Sequence, residues 1–148
     1  MIDRWLLLAL AALATGCGKP EAPPTPVVEH DEVAITEADV KLPANYAEAL
    51  PWIKDRRDTI RTVLEAGTPG KAHRALDELD IIFDKLPSIA KASGIPLEKW
   101  ETVNLSAQQL RNQFDQVHAA IDAERAPDFS AVAEPIDRAI ANLEQVAP

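Results

Sequence analysis

Two histidines and a row of aspartates are the residues in this chain best suited to chemistry. His73, Asp77, Asp80 and Asp84 follow one another at intervals of three or four residues. Asp115, His118 and Asp122 do the same about forty residues later. If each run is helical, every residue turns about 100° around the axis, so each set forms a single stripe. Imidazole nitrogen and carboxylate oxygen are the donors that a borderline divalent ion accepts. Two imidazoles and a carboxylate would suit Zn²⁺ or Cu²⁺. His73, Asp115 and His118, with Asp77 or Asp122, are therefore the candidate ligands. The plainer reading is a solvated acidic face, an exposed first-turn histidine at position 73 and a boundary histidine at 118.

The stripes can meet only if the segments bearing them pack together. Residues 69–93 carry the cleanest amphipathic pattern in the chain, with Ala72, Ala75, Leu76, Leu79, Ile82, Phe83, Leu86, Ile89 and Ala90 at helical spacing. Residues 96–124 follow, with Leu97, Trp100, Val103, Leu110, Phe114, Val117 and Ile121 on one face. An antiparallel pairing about the Gly94-Ile95 turn puts His73 near the level of Gln116 and His118. The polar stripes then fall on matching flanks of the pair. They either both line the seam or both face away, and the sequence allows either.

Two more helices complete the set. One spans about 45–65, with Tyr46, Leu50, Ile53, Ile60 and Leu64 inward and Pro51 expected to kink or separate its first turns. The other spans about 130–146, marked by Phe129, Val132, Ile136, Ala139, Ile140, Leu143 and Val146, with Pro135 expected to distort its start. Pro87 is expected to bend the second helix near its end. Gly67-Thr68-Pro69-Gly70, Ser93-Gly94 and Arg125-Ala126-Pro127-Asp128 are the turns between them. Four amphipathic helices on short connections bury their stripes most economically against each other. The expected fold is an all-α, up-down-up-down antiparallel four-helix bundle over residues 44–148. Arg57 interrupts the apolar stripe of the first helix. It reads as a snorkelling side chain ahead of an ion pair with a neighbouring helix.

Upstream, the composition changes. Lys19-Pro20-Glu21-Ala22-Pro23-Pro24-Thr25-Pro26 is a proline-rich tether, extended at about 3.1 Å per residue. Val27 to Leu42 is acidic with scattered apolar residues, and its sequence does not say whether it docks. His30 is assigned no role. Before the tether comes the one strongly apolar run, Trp5 to Leu13, then Ala14-Thr15-Gly16 and Cys17, the only cysteine of the chain. The stretch Leu13-Ala14-Thr15-Gly16-Cys17 resembles the lipobox of bacterial lipoprotein signal peptides. That resemblance implies a signal peptide over residues 1–16, a diacylglyceryl group on the Cys17 thiol, cleavage before it and acylation of the new amino end. It makes 17–43 a lipidated linker and the membrane a partner through that lipid. Gly18 after the cysteine leans towards the outer membrane, facing the periplasm.

Lys71-Ala72-His73-Arg74-Ala75-Leu76-Asp77-Glu78, continuing to Leu86-Pro87-Ser88-Ile89-Ala90-Lys91, looks like a family of uncharacterised bacterial secreted helical proteins. The family implies a four-helix bundle without an assigned activity, often with several histidines along this helix. Asp77 and Ile81 stand here where two of them would fall. At fold level the chain also resembles the bundles of cytochrome b562 and cytochrome c-prime, without any motif. The two-cysteine haem attachment pattern is absent, and Met1, the only methionine, leaves with the signal. Only a bis-His haem stays formally open, in a chain with 5% aromatic residues.

A formal net charge of −9 argues against nucleic acid and anionic lipid as partners. There is no glycine-rich phosphate loop and no His-Glu-x-x-His. Ser88, Ser93, Ser106 and Ser130 sit in no nucleophile-elbow context. The sequence thus reads as a non-enzymatic, membrane-anchored envelope lipoprotein whose helical domain binds or scaffolds a protein partner. The alternative is a carrier or sensor for a metal, less so for haem, and no other cofactor is expected.

Overall fold

A computed structural model describes residues 35–147 of the chain. The expected signal peptide, Cys17, the proline-rich tether and His30 lie outside the described residues. Those residues are all-α, with four helices and no strand, as a helical bundle requires. The helices are α1 (Tyr46–Glu65), α2 (His73–Ala92), α3 (Trp100–Asp122) and α4 (Phe129–Val146). Single 3-10 turns, Pro69–Ala72 and Leu97–Lys99, lead into α2 and α3. Among the described residues, no helix is long and apolar enough to cross a membrane.

Consecutive helices run antiparallel, as their cross-links show. The backbone N–H of Tyr46, at the start of α1, donates to Ser93 Oγ just past the end of α2 (2.8 Å), while Arg56 meets Glu78 further along (2.9 Å). On the other flank of α1, Lys54 meets Glu144 (2.8 Å) and Arg57 meets Asp137 (2.7 Å) of α4. Lys99, beside the start of α3, donates to the carbonyl of Gln145 near the end of α4 (3.3 Å).

The stripes expected to be apolar form one core. Leu79, Ile82 and Leu86 of α2 close completely against Ile53 and Ile60 of α1, Leu110 of α3, and Ile136 and Leu143 of α4. Burying a side chain of this size stabilises the fold by roughly 1.5–3 kcal/mol. Leu97 departs from expectation. It belongs to the 3-10 turn rather than to α3 and is 72% exposed. Ile95, in the loop just before it, takes the buried place instead.

The prolines do not divide the helices. Pro51, Pro87 and Pro135 each lie inside one uninterrupted helix. Pro51 and Pro87 sit on the exposed side. The carbonyl that each leaves without a helical donor can therefore turn to water, which lowers the penalty of an interior proline. Arg57 also departs from expectation. It is held by Asp58 (3.0 Å) and Asp137 (2.7 Å), with its side chain only 17% exposed, so the cross-helix ion pair is the one formed.

The helix ends follow local chemistry. Asn45 accepts from the backbone N–H of Glu48 (3.0 Å) and caps α1, and Asp128 accepts from Ser130 (3.0 Å) and caps α4. After α2, Gly94 adopts φ +76°, a conformation that glycine takes at no steric cost. After α3 the same reversal is made by Glu124 at φ 51°, where a side chain is strained.

Residues 35–43, expected to belong to the linker and with their docking left open by the sequence, lie against the helices as a strap. Val40 and Pro43 are buried. Thr36 donates to Asp39 through both its backbone N–H (3.0 Å) and its hydroxyl (2.6 Å), closing a 3-10 turn. Glu37 meets Lys85 of α2 at 2.7 Å, and Lys41 and Arg56 lie over the Trp52 ring at 5.9 and 5.2 Å.

Candidate metal centre

Three of the five candidate ligands converge. His73 opens α2 directly after the Pro69–Ala72 turn, where buried Ala72, Ala75 and Leu76 fix the rotation of the first helical turn. On α3, buried Phe114, Val117 and Ile121 fix the rotation of the last turns. His118 therefore lies at the edge of the core, and Asp122, four residues on, lies directly above it. The two stripes line the α2–α3 seam rather than facing away from it.

The Asp122 Oδ1 oxygen is 3.8 Å from His118 Nε2 and 4.0 Å from His73 Nε2. Both gaps are too long for a hydrogen bond. The two imidazoles stand edge to face, with ring centres 5.1 Å apart at 87°. One donor atom from each of the three residues can be chosen so that all lie within 4.8 Å of one another. Four donors around a tetrahedral zinc at about 2.0–2.1 Å stand roughly 3.3 Å apart. The cluster is thus wider than a closed site by up to about 1.5 Å, a gap that side-chain rotation would have to close. The side chains of His73, His118 and Asp122 are 17%, 31% and 60% exposed, so the centre has a dry side and an open side.

Asp77 and Asp115 do not join this triple. They line an adjoining cavity of about 310 Å³ with His118, Asp80 and Arg111, over a floor that includes Leu76, Phe83 and Phe114. The Phe83 and Phe114 rings stack there with centres 6.0 Å apart.

The residue that sequence reasoning missed is Arg111. Its Nε lies 2.7 Å from Asp80 Oδ1 without pointing at it, while its Nη2 donates to the Asp80 carbonyl oxygen at 2.9 Å. The contact is therefore an ion pair plus one directed bond, and it spans the seam. The same antiparallel register that levels His73 with His118 levels Asp80 with Arg111. A search for a cation opposite Asp80 would have found it.

No family model, no curated protein and no solved structure matches the chain.

What the centre can do follows from its donors. Two imidazoles and one carboxylate would supply three ligands, which would leave further coordination positions towards solvent. Such a shell suits an ion that is taken up and given back better than one locked in to hold a fold together.

Proposed function

We propose that this chain is an envelope lipoprotein, anchored through a lipid on Cys17, whose helical domain binds Zn²⁺ or Cu²⁺ without catalysing a reaction. One observation carries the metal reading: donor atoms of His73, His118 and Asp122, drawn from two helices, stand within 4.8 Å of one another. The anchor rests on the lipobox resemblance at Leu13–Cys17, and the outer-membrane address on Gly18. The edge-to-face contact of the imidazoles at 5.1 Å favours a small ion over haem, since no macrocycle fits between touching rings.

The binding or scaffolding role expected from the sequence is compatible with this reading, because an exchangeable ion is itself a means of contact. Equilibrium dialysis of the purified chain against Zn²⁺ and Cu²⁺ tests the proposal. One ion per chain is expected for the wild type and none for His118→Ala. Acidification should release the ion, because imidazole must be neutral to ligate. A wild-type chain that retains no ion, or a His118→Ala chain that retains it equally well, would remove the metal from the account.

A further inference from the structure

The cavity beside the metal centre has the form of a second site. Its volume of about 310 Å³ is at the small end of the range in which proteins hold organic molecules. Its floor is apolar, made by Leu76, Ile81 and Phe83 of α2, Phe114 of α3, and Ile35 at the start of the strap. Leu76, Phe83 and Phe114 belong to the core, so the packing of α2 on α3 holds the hollow in shape. Apolar surface of this kind attracts an apolar body of matching size whatever its charge.

The rim decides which charge is accepted. Five of the lining residues are ionisable: Asp77, Asp80, Asp115, Arg111 and His118. Arg111 is taken by Asp80, through the ion pair at 2.7 Å and the bond to the Asp80 carbonyl oxygen. Asp77 is already engaged. The cations around the cavity are engaged as well. Lys85, in the adjoining cleft, is held by Glu37 at 2.7 Å and Asp84 at 3.5 Å. Arg74 pairs with Glu78 and also acts on Asp39 of the strap, and Lys41 lies over Trp52. Asp115 differs from all of these. Among the described residues it makes no hydrogen bond and no ion pair, although Arg111 stands four residues before it and His118 three after, on the same side of α3.

From this pairing of an apolar floor with one carboxylate that nothing else engages, we infer that the cavity binds a small organic amine. The apolar body lies against Leu76, Ile81, Phe83 and Phe114, and the ammonium group donates to the Asp115 carboxylate. Asp115 is exposed, and an ion pair open to water contributes little by itself. The floor therefore supplies most of the affinity and Asp115 the selectivity. The site is independent of the metal reading. Of the three candidate ligands, only His118 lines the cavity, and the amine needs no ion there.

The test is methyl NMR of the purified chain, with a chelator present and at low salt. The probes are phenethylammonium, its neutral counterpart phenethyl alcohol and its anionic counterpart phenylacetate. Phenethylammonium should give saturable shifts at the Leu76 and Ile81 methyls and none at Leu97, with a Kd on the order of a millimolar, ordinary for so small a ligand. It should bind about fivefold or more tighter than the alcohol, because a charge-assisted hydrogen bond is about twice as strong as a neutral one. Phenylacetate should bind weakest. Asp115→Asn should erase the preference for the ammonium over the alcohol. Ile81→Ala should weaken both and leave their ratio unchanged. The proposal is overturned if no probe gives saturable shifts at these methyls, if the alcohol binds the wild type as tightly as the ammonium, or if phenylacetate binds tightest. A preference that survives Asp115→Asn overturns it equally. Should Ile81→Ala fail to fold, the Asp115 comparison decides, since that side chain is exposed. Every reading is taken without metal, so the outcome leaves the metal centre to its own test.

Discussion

The flanks of α1 and the seam between α2 and α3 handle charge in opposite ways. Along α1, cations are matched by acids on the neighbouring helices: Lys54 with Glu144, Arg57 with Asp137, and Arg56 with Glu78. Glu78 is doubly engaged, since Arg74 also reaches it at 3.0 Å. Along the α2–α3 seam, among the described residues, Arg111 meets Asp80 and Lys85 meets Asp84, while two imidazoles face the Asp122 carboxylate at 3.8 and 4.0 Å, too long to bond. Charge that is matched across helices contributes to holding them together. Imidazole nitrogens spaced that widely from a carboxylate are an arrangement that an added cation would complete. The first region is read as stability and the second as function, and substitutions should separate the two.

The largest separation is expected at His118. Replacing it with alanine should weaken zinc binding about 100-fold or more, since it removes one of three protein ligands. The metal-free melting temperature should barely move, because this side chain lies at the edge of the core.

The next effect belongs to the α1–α4 side. Tyr46 is fully buried, its hydroxyl donates to the Leu143 carbonyl (3.0 Å), and burial pushes its pKa up to about 12. The folded chain therefore keeps this proton where the unfolded chain, near the ordinary value of about 10, releases it. The sign follows: the contribution is whole below pH 10 and is lost as pH rises from about 10 through about 12. A loss of roughly 2–3 kcal/mol is expected across that window, about half of it by pH 11. The difference between wild type and Tyr46→Phe in denaturant unfolding at pH 8 and pH 11 isolates it.

Arg57→Ala follows. Burial opposes the charge of Arg57, but Asp58 and Asp137 outweigh it and raise its pKa. Breaking this pair, sheltered at Arg57 but open to solvent at Asp137, should lower stability by about 0.5–1 kcal/mol without altering zinc affinity, as read by urea unfolding and dialysis on one preparation.

Glu124→Gly should act in the other direction. Relieving a left-handed backbone at φ 51° is expected to add about 1 kcal/mol, again with unchanged metal affinity.

The smallest effect is expected at Asp115, which lines the cavity with Asp77 and Asp80 without joining the ligand triple. Asp115→Asn should raise metal-free stability by a few tenths of a kcal/mol at low salt, and the gain should vanish near 1 M salt.

The contrast also explains what the sequence could and could not show. The α2 stripe of Leu76, Leu79, Phe83 and Leu86 was legible because a half-buried helix prints its period into the chain. The level of His73 with His118 was legible because one short turn fixes the antiparallel register. Which flank they occupy was not, because both stripes rotate together and only packing against α1 and α4 selects the side. Ile95, Val40 and Pro43 were missed as buried residues because they lie in irregular segments, where burial has no period. Leu97 was assigned to the wrong environment for the same reason, since a 3-10 turn changes the phase just where the helix begins. The partner of Arg57 lies eighty residues away on α4, a pairing that local pattern does not encode.

The most direct measurement is X-ray absorption at the zinc edge of the loaded wild-type chain. Two imidazole nitrogens and at least one oxygen at about 2.0–2.1 Å are predicted, falling to one imidazole in His73→Ala and in His118→Ala. A shell of oxygen alone, or one that neither substitution changes, would show that the ion sits on carboxylates elsewhere and that the two histidines are not its ligands.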